Sequence, residues 1–446
     1  MNIQYEMYKV LSEGKTKIIR LLPNDDKLVI LEAKDDITAG DGAKHDVIAN
    51  KAKLATRTTS NIFRLLKSCG FPVAFVEEID ETRFLAERCA MLPYEVVVRR
   101  EAHGSYLHRF PHLQAGNYFP TLKLEFFAKT SGKVWNGSSI PMDDPFLDLS
   151  NDPVMFYIPH WTDEQKEISK HTGFRGFLVG QKPFLSVPRH DFLLQTKSTE
   201  KDLVEMGKLA KRTFLVLEKA WQLVGRRLVD FKVEFGKNTE GVLRLADVID
   251  NDSWRVIDNG IHIDKQLYRD GVDLNTVTAK YQLVAELTKN FKLPQQQLIL
   301  WRASKSDDLK PFEEAITTYD NQRMCRMQIV TCSFHKEPVR AYIEIGRLIQ
   351  EVPDSVVIAY VGRSNGAPTL SAQVSTPVIT VPVTWKEFPE DVWSSLRTPS
   401  ETPIMTVLDP KNAVLFALQI LAMRNPRLYA ELRIKQEEHL CNIVQC

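Results

Sequence analysis

The sequence predicts an α/β protein of two domains: a two-lobed α+β domain, then a three-layer α/β/α domain built on a doubly wound parallel sheet. The chain has 446 residues, whereas a single domain typically holds about 100 to 200. Strand and helix patterns are mixed in the first half, and after Pro294 they alternate strictly, as in a parallel sheet. We expect the domains at residues 1–268 and 295–446, joined by a linker helix at 269–294.

Composition argues against several classes of function. Lys and Arg number 58 against 57 Asp and Glu, so the chain has no excess charge to attract nucleic acid or an anionic membrane. No apolar run is long enough to span a bilayer, and the N-terminus lacks a signal-peptide pattern. Six cysteines show neither a CxxC pair nor zinc-ligand spacing. We therefore expect a cytoplasmic protein that binds small molecules.

Local patterns in the first half predict a β-rich lobe and two long helices. Short β-prone runs at 17–21 and 28–31 flank a turn, and 94–99 is a further strand. Apolar residues recur at helical spacing over 48–68 and over 201–224. These elements are the ones that a mixed α+β domain requires.

A charged strand face follows the second of these helices. Residues 228–235 alternate so that Asp230, Lys232 and Glu234 share one face of a strand, and the next strand leads to Asp247. Carboxylates gathered on neighbouring strands repel one another unless a cation lies among them, and magnesium with ATP phosphates supplies one. The alternative is an exposed edge strand of mixed charge. We favour the magnesium site.

Three further segments contain residues that can contact phosphates or a ligand backbone. Residues 13–17 include a glycine and two lysines, and residues 36–42 are polar and rich in glycine. Arg99, Ser105 and Arg109 form a third cluster. Taken alone, the first segment is better explained as a solvated strand edge, and the second could be merely a turn. For the arginines, a helix start with solvated side chains is an equal alternative.

Taken together, these motifs resemble the SAICAR synthetase family over roughly residues 8–270. The matching motifs, in order, are Gly14-Lys15-Thr16-Lys17, Asp36-x-Thr38-Ala39-Gly40-Asp41-Gly42, Val98-Arg99 with Gly104-Ser105, Asp230-Phe231-Lys232-Val233-Glu234-Phe235-Gly236, Ala246-Asp247-Val248-Ile249-Asp250-Asn251-Asp252-Ser253-Trp254-Arg255 and Asp264-Lys265-Gln266. Each motif is weak alone, and their order makes the combination specific. The resemblance implies a two-lobed SAICAR-synthetase-like α+β domain.

The resemblance also implies roles for individual residues. Those expected to bind ATP are Gly14, Lys15, Lys17 and Glu95. Those expected to bind the ribonucleotide substrate are Asp36, Arg99, Ser105, Arg255 and Lys265. Glu234 and Asp247 would hold Mg2+, and Asp230 and Lys232 would act between nucleotide and substrate. ATP would phosphorylate the substrate carboxylate, and the amine of aspartate would then attack the acyl phosphate.

The second half predicts strands whose ends carry polar side chains. We expect strands at 297–301, 326–331, 355–361 and 377–383, and helices at 308–319, at 337–351 and from Pro410 onward. Polar segments follow three of these strands, at 304–307, 333–336 and 362–366. In open α/β sheets ligands bind beyond the carboxyl ends of the strands, so three aligned loops favour a binding site over ordinary turns.

This half, roughly residues 295–430, resembles the AIR carboxylase family in its vertebrate-type form. The matching motifs are Arg363-Ser364-Asn365-Gly366 and Asp391-Val392-Trp393-Ser394-Ser395-Leu396-Arg397. By resemblance, the residues that bind the substrate are Ser304, Ser306, Asp307, Ser333 and Arg363, and His335 and Lys336 handle the proton and the carboxylate. The resemblance further implies CO2 as co-substrate without biotin, a homo-octamer, and the domain order of the animal bifunctional enzymes of purine biosynthesis.

Several segments depart from the two families. Phe334 replaces an alanine, the loop after Asn365 is one residue short, and other loop glycines are replaced. The alternative is therefore a synthetase alone, with a silent carboxylase-like domain as an oligomerisation scaffold. In the first half, residues 128–160 predict a long loop or insertion, and either Asp144 or Asp152 could supply the family's Asp-Pro step.

Overall fold

The computed structural model of the chain describes residues 8–23, 25–39, 44–160, 181–320, 325–362 and 365–444. The chain divides into two compact units, one of residues 1–292 with 437–446 and one of residues 293–436. Where the sequence predicted a linker, the helix Leu274–Thr288 belongs to the first unit. It packs on another helix of that unit, where the Asn61 amide donates a hydrogen bond to Thr288 Oγ1 at 3.2 Å.

The first unit contains the following elements. Its strands are β1 Val10–Glu13, β2 Lys17–Leu22, β3 Asp25–Ala33, β4 Asp36–Ala39, β5 Lys44–Val47, β6 Phe75–Glu78, β7 Arg83–Glu87, β8 Cys89–Met91, β9 Tyr94–Glu101, β10 Tyr118–Ala128, β11 Val134–Trp135, β12 Ser138–Ser139, β13 Phe146–Asp148, β14 Val154–Tyr157, β15 Leu185–Val187, β16 Arg227–Asn238, β17 Leu243–Ala246, β18 Trp254–Asp258 and β19 Ile261–His262. Its helices are α1 Lys51–Ser68, α2 Ser105–Arg109, α3 Arg189–Thr196, α4 Glu200–Leu223, α5 Gln266–Arg269 and α6 Leu274–Thr288.

Two antiparallel sheets organise the first unit. The smaller has the strand order β1-β2-β3-β7-β6, and the larger has the order β15-β14-β13-β10-β9-β16-β18-β19, with β8 and β17 also paired to β16. β16 therefore lies inside the sheet, with Asp230 opposite Arg99 on β9 and opposite Arg255 on β18. The alternative interpretation from the sequence, that this segment is an exposed edge strand, is therefore wrong.

The helix α4 covers one face of this central strand pair. A capping box starts it, because the Thr199 hydroxyl accepts from the Asp202 N–H and the Asp202 carboxylate accepts from the Thr199 N–H. Its apolar residues pack on the sheet, with the rings of Phe214 and Phe231 at 5.5 Å and an interplanar angle of 71°. This packing leaves the charged side chains of β16 to the other face.

The segment 128–160 is more structured than its composition predicts. It contains β11 to β14, and β13 pairs with β10 of the large sheet. The prediction of one long loop is therefore wrong for these strands. Buried apolar side chains, Leu147, Val154 and Phe156, hold the segment against the sheet, and this tertiary contact outweighs the turn-forming composition around them.

The second unit contains a five-stranded parallel sheet between helices. Its strands are β20 Gln297–Arg302, β21 Arg326–Thr331, β22 Ser355–Val361, β23 Val378–Pro382 and β24 Met405–Thr406, in the order β21-β20-β22-β23-β24. Its helices are α7 Lys310–Tyr319, α8 Pro338–Glu351, α9 Ala367–Ser371, α10 Trp393–Leu396, α11 Pro410–Ala422 and α12 Pro426–Val444, with a 3-10 helix at Pro389–Val392. The residues of α12 from 437 onward belong to the first unit. Every pairing in the sheet is parallel.

Buried side chains lie on both faces of this sheet. Leu298 and Leu300 point to a cluster that includes α11, and Ile299 and Trp301 point to a cluster that includes α8. Helices on both faces confirm the predicted doubly wound, three-layer architecture. None of the helices in the described part of the chain is long and apolar enough to cross a membrane.

In the second unit, two helices differ from the sequence prediction by more than one residue. The helix expected from residue 308 begins at Lys310, because the Asp308 carboxylate accepts from the Lys310 N–H at 3.0 Å in a turn that precedes it. The helix expected from Pro410 is two helices, α11 and α12. Asn425 separates them, since its side-chain oxygen accepts from the N–H groups of Arg427 and Leu428 and so caps the second helix.

Candidate active site

Two arginines of the first unit converge on one carboxylate. Arg99 Nη1 donates to Asp230 Oδ2 at 2.6 Å, and Arg255 Nη1 donates to the same oxygen at 2.8 Å. Arg99 Nε also donates to Glu125 Oε2 at 2.7 Å, and Arg109 donates to the other oxygen of Glu125. Arg99 and Arg109 are 2% and 0% exposed, so the alternative of two solvated arginines is wrong. The sequence cluster is a buried charge network.

The loop before α2 completes this arrangement. Arg99 Nη2 donates to Ser105 Oγ at 3.3 Å. Gly104 has a φ of 53°, and a Cβ atom there would overlap the Arg255 guanidinium. The glycine is therefore required both by its left-handed backbone and by the close approach of the arginine. Arg99, Ser105 and Arg255, predicted together as phosphate ligands, lie side by side with planar donors suited to phosphate.

A second group places two carboxylates beside two lysines. Lys17 forms a hydrogen-bonded ion pair with Asp247, and Lys129 forms one with Glu234. Asp247 follows Ala246, which lies opposite Glu234 in the β16–β17 pair, and its φ of 63° holds it in the left-handed region. Burial and the neighbouring Asp247 raise the pKa of Glu234. Burial opposes ionisation of Asp247 as well, but Lys17 lowers its pKa overall.

These two carboxylates fit the magnesium role that the sequence predicted. Glu234 and Asp247 present hard oxygen donors whose mutual repulsion needs a cation, here supplied by lysines. Across the described ranges, no group of three or more His, Cys, Asp or Glu side chains is placed so that it could hold a metal ion by itself. A pair of carboxylates suits magnesium that is shared with phosphate oxygens, because this ion typically takes one or two carboxylates there.

Lys232 joins the two groups on the same strand face. Its ammonium donates to Glu95 Oε1 at 2.5 Å, and although burial disfavours the charge, Glu95 raises the pKa of Lys232 above its ordinary value. Burial, with the charge of Glu95, raises the pKa of Asp144 to about 6. Asp152 instead accepts from the Arg189 N–H at 2.9 Å. Of the two Asp-Pro steps, Asp144 is therefore the one beside Lys232.

Other predicted residues of this unit lie around these groups. Lys265 donates to Asp252 at 3.2 Å, and the Gly14 N–H donates to the Lys17 carbonyl at 2.9 Å. Lys15 is exposed. Asp36 lies on the β4–β5 hairpin and contacts His45 at 2.7 Å rather than the carboxylate pair. The residues Gly40, Asp41 and Gly42 lie outside the described residues.

In the second unit, the loop after β20 forms a compact serine turn. The Ser304 N–H donates to Asp307 Oδ2 at 2.8 Å, and the hydroxyls of Ser304 and Ser306 are 2.9 Å apart. Both serines are exposed at the carboxyl end of the sheet. The turn ends before α7, which begins at Lys310.

The loop after β21 meets the loop after β22 across the end of β20. The Phe334 ring lies 5.8 Å from the Trp301 ring, and a Cβ atom on Gly366 would lie 2.7 Å from Phe334 Cβ. His335 and Lys336 follow Phe334 and are exposed. The three polar loops therefore lie at the same, carboxyl edge of the sheet, as their strand positions predicted. In these loops Ser333 accepts from the Lys336 N–H at 3.4 Å, and Arg363 lies outside the described residues.

The sequence matches two protein families in succession. It matches SAICAR synthetase over residues 10–134 and 186–287, and AIR carboxylase over residues 298–440. It is 34% identical over 449 residues to the probable multifunctional protein ADE2 of Caenorhabditis elegans, covering 98% of this chain and 96% of that protein. The chain belongs to the family of bifunctional proteins that join a SAICAR synthetase domain to an AIR carboxylase domain. It is also 34% identical over 438 residues to the Homo sapiens bifunctional phosphoribosylaminoimidazole carboxylase/phosphoribosylaminoimidazole succinocarboxamide synthetase, covering 95% of this chain and 92% of that one.

Both units of this bifunctional enzyme of purine biosynthesis are therefore present in one chain, as the sequence motifs predicted. A solved structure described as SAICAR synthetase (Type-2) in complex with ADP is 25% identical. It covers 64% of this chain and 100% of that one, with a TM-score of 0.47. We refer below to the synthetase unit and the carboxylase unit.

Sequence reasoning missed several residues of the synthetase unit. Glu125 pairs with both buried arginines, and Lys129 pairs with Glu234. Both are on or just after β10, which the sequence analysis did not identify as a strand. Glu125 and Phe127 lie two residues apart and so share a strand face. This spacing could have indicated a strand, but the surrounding aromatic residues obscured the alternation.

Proposed function

We propose that the synthetase unit joins aspartate to carboxyaminoimidazole ribonucleotide at the expense of ATP. One observation carries the proposal: the charged face of β16 places the arginine pair on Asp230 beside the carboxylate pair of Glu234 and Asp247. The first group suits a ribose phosphate, and the second suits magnesium with ATP phosphates. Lys232 lies between them on the strand.

The ligation follows from this placement. A carboxylate oxygen of the ribonucleotide attacks the γ-phosphorus of ATP, and ADP leaves. The amine of aspartate then attacks the acyl carbon, phosphate leaves, and the amine releases a proton. Lys15, Lys17 and Lys232 hold the transferred phosphoryl group, and Glu234 and Asp247 hold magnesium, which when bound neutralises phosphate charge. Asp230 orients Arg99 and Arg255 toward the substrate phosphate.

For the carboxylase unit, the proposed reaction is carboxylation of aminoimidazole ribonucleotide with CO2, without biotin. The ring carbon forms a bond to the carbon of CO2, and the proton of that ring carbon passes to His335. Lys336 pairs with the new carboxylate, and Ser304, Ser306 and Asp307 bind the ribose phosphate. The position of three polar loops at the carboxyl edge of the sheet, two of them in contact, supports this role.

A homo-oligomer, an octamer by resemblance, is part of the proposal, as is a cytoplasmic location. The carboxylase unit exposes large apolar residues, with Val339 at 70% and Ile343 at 61% exposure. Both line a groove of about 750 Å³ on α8. The groove is also lined by charged residues, among them Arg340 and Glu344, and exposed large apolar side chains rimmed by charged ones are typical of a protein interface. Light scattering on the full chain tests this: a monomer would contradict the proposal.

Separate assays of the two activities on the purified full chain test the proposed function. One measures the ligated product and ADP from ATP, aspartate and the carboxylated ribonucleotide. The other measures bicarbonate-dependent conversion of aminoimidazole ribonucleotide. We expect both activities. A folded chain that ligates aspartate without carboxylating would restrict the function to the synthetase unit.

A further inference from the structure

A buried charged cluster adjoins the synthetase site and includes a lysine that the steps above leave without a role. Asp252 accepts from the Tyr281 hydroxyl at 2.8 Å and from the Lys265 ammonium at 3.2 Å. Lys51 approaches the same carboxylate at 3.6 Å. The cluster is thus built from the first turn of α1, the turn before β18, the start of α5 and the helix α6.

Two lysine ammonium groups, those of Lys51 and Lys265, share the Asp252 carboxylate. Lys51 is 2% exposed, and among the described residues its ammonium donates no hydrogen bond and forms no ion pair other than that with Asp252. Asp250, the other nearby carboxylate, forms no ion pair within 4 Å in the same ranges. A buried ammonium is costly unless it is paired and hydrogen-bonded, and the first turn of a helix disfavours a cation further. An anionic ligand would relieve both costs.

The turn 250–253 places this cluster against the reacting groups. The Lys232 N–H donates to the Ser253 carbonyl at 2.7 Å, so the turn is attached directly to β16. Along the chain, the turn lies between Asp247 of the carboxylate pair and Arg255 of the arginine pair. A ligand on Lys51 would therefore lie beside the place where the acyl phosphate forms.

A second observation points to a polar ligand in the same turn. Asn251 is 2% exposed, and within the described parts of the chain neither its amide nitrogen nor its amide oxygen has a hydrogen-bond partner. Buried amides are ordinarily hydrogen-bonded, since an unsatisfied one costs about 1–3 kcal/mol. The Asn251 amide can both donate and accept, as recognition of an amino acid requires.

We propose that Lys51, with Lys265, forms the subsite for the aspartate co-substrate, and that Lys51 pairs with one of its carboxylates. This inference rests on the proposed ligase function. Aspartate brings two carboxylates and one amine, so its site needs cations that are not fully engaged. Arg99 and Lys232 are each held at 2.7 Å or less by carboxylates, whereas Lys51 is held at 3.6 Å.

The test compares Lys51→Met with Lys53→Met in the full chain. Lys53 lies on the same helix but is half-exposed and pairs with Glu81 at 2.6 Å, so it controls for loss of a lysine from α1. Two reactions are measured: ligation of aspartate, and formation of a hydroxamate when hydroxylamine replaces aspartate as the nucleophile. The hydroxamate reaction requires the acyl phosphate but no aspartate subsite.

For Lys51→Met we expect the KM for aspartate to rise at least tenfold. The KM values for ATP and ribonucleotide, and the hydroxamate rate, stay within twofold of the unaltered protein. Lys53→Met changes none of these. An unchanged KM for aspartate, or an equal loss of both reactions in a folded variant, would overturn the inference.

A second variant keeps the test decisive if Lys51→Met does not fold. Lys265→Met alters a side chain that is 12% exposed and that the sequence also assigns to the ribonucleotide, so we expect the KM for aspartate to rise at least tenfold and more than the KM for the ribonucleotide. An unchanged KM for aspartate in this variant would also overturn the inference. Failure of the proposed function has a different signature, because the unaltered chain would then form neither the hydroxamate nor the aspartate product.

Discussion

Glu437 and Arg100 form an ion pair at 2.7 Å in which both side chains are nearly inaccessible, at 6% and 4% exposure. The other oxygen of Glu437 accepts from the Leu122 N–H at 2.8 Å. Leu122 lies where the pairing of β10 with β9 is irregular, so its N–H has no ladder partner there. A residue near the C-terminus therefore completes the hydrogen bonding of the synthetase sheet, next to Arg99.

Replacement of Glu437 should weaken the synthetase unit. Glu437→Gln removes the charge from a buried pair, and a hydrogen bond to a charged group contributes about 1.5–3 kcal/mol. We expect the free energy of unfolding to fall by about that amount in urea denaturation. Glu438→Gln is the matched control, because its side chain is exposed one residue further along the helix. Equal stability of the two variants would contradict this role.

Replacement of Glu234 should abolish ligation without unfolding the protein. Glu234→Gln keeps the side-chain shape but removes one of the two carboxylates expected to hold magnesium. The measurement is the amount of ADP formed per unit time. Substitution should also leave the carboxylase activity intact, which serves as an internal control for folding. Near-normal ligation at saturating magnesium would rule out Glu234 as a magnesium ligand.

Replacement of Arg255 should separate the two substrates of the synthetase unit. Arg255→Ala removes one guanidinium from the pair on Asp230, and charge-assisted hydrogen bonds contribute about 1.5–3 kcal/mol, so the KM for the ribonucleotide should rise about tenfold or more. The KM for ATP should hold. Arg269→Ala, an exposed arginine nearby, controls for charge. A larger effect on ATP would assign Arg255 to the nucleotide.

The raised pKa of Asp144 predicts a pH-dependent stability difference. Burial and Glu95 raise this pKa to about 6 in the folded protein, above the ordinary value of 3.8. At pH 7 the ionised carboxylate is therefore destabilising, and protonation removes that cost as the pH falls through 6 toward 4. We expect Asp144→Asn to be more stable than the unaltered chain at pH 7, with the difference narrowing on acidification.

Urea unfolding at several pH values measures the effect of Asp144. The control is Asp26→Asn, because Asp26 is exposed and distant in sequence from the charged face of β16. A stability difference between Asp144→Asn and the unaltered chain that stays constant from pH 7 to pH 4 would show that the Asp144 carboxylate does not titrate in this range.

Replacement of His335 should affect the carboxylase unit alone. His335→Asn removes the proposed proton acceptor while preserving a polar side chain on an exposed loop, so bicarbonate-dependent turnover should fall at least a hundredfold, as general-base catalysis typically contributes about 10²–10⁴. Ligation of aspartate should not change. His190→Asn, an exposed histidine of the synthetase unit, provides the control. If the variant retains bicarbonate-dependent turnover, a group other than His335 accepts the proton.

Local pattern predicted the second unit well and the first unit only in part. The strand Ser355–Val361 has the bounds expected from the sequence, because a parallel strand buried on both faces is a short apolar run. The edge strand Arg326–Thr331, which is mostly exposed, also has the expected bounds. The charged face of β16 was also readable, since strand alternation is a local property. These features need no knowledge of which segments are neighbours in space.

The features that could not be predicted depend on partners far away in the chain. Glu437 and Arg100 are 337 residues apart, and Lys17 and Asp247 are 230 apart. Nothing in the local sequence around Glu437 distinguishes it from Glu438, which is exposed. The strands within 128–160 were missed for the same reason, because burial against a neighbouring sheet decided their conformation.

The contact between Phe334 and Gly366 couples the residues that two loops can accept at these positions. A Cβ atom at Gly366 would lie 2.7 Å from Phe334 Cβ, closer than packed carbon atoms allow. With this backbone, any residue that carries a Cβ atom at position 334 therefore requires glycine at position 366, whatever the other residues of that loop are. A larger residue can enter at position 366 only if the two loop backbones first move apart, because every residue except glycine carries a Cβ atom at position 334.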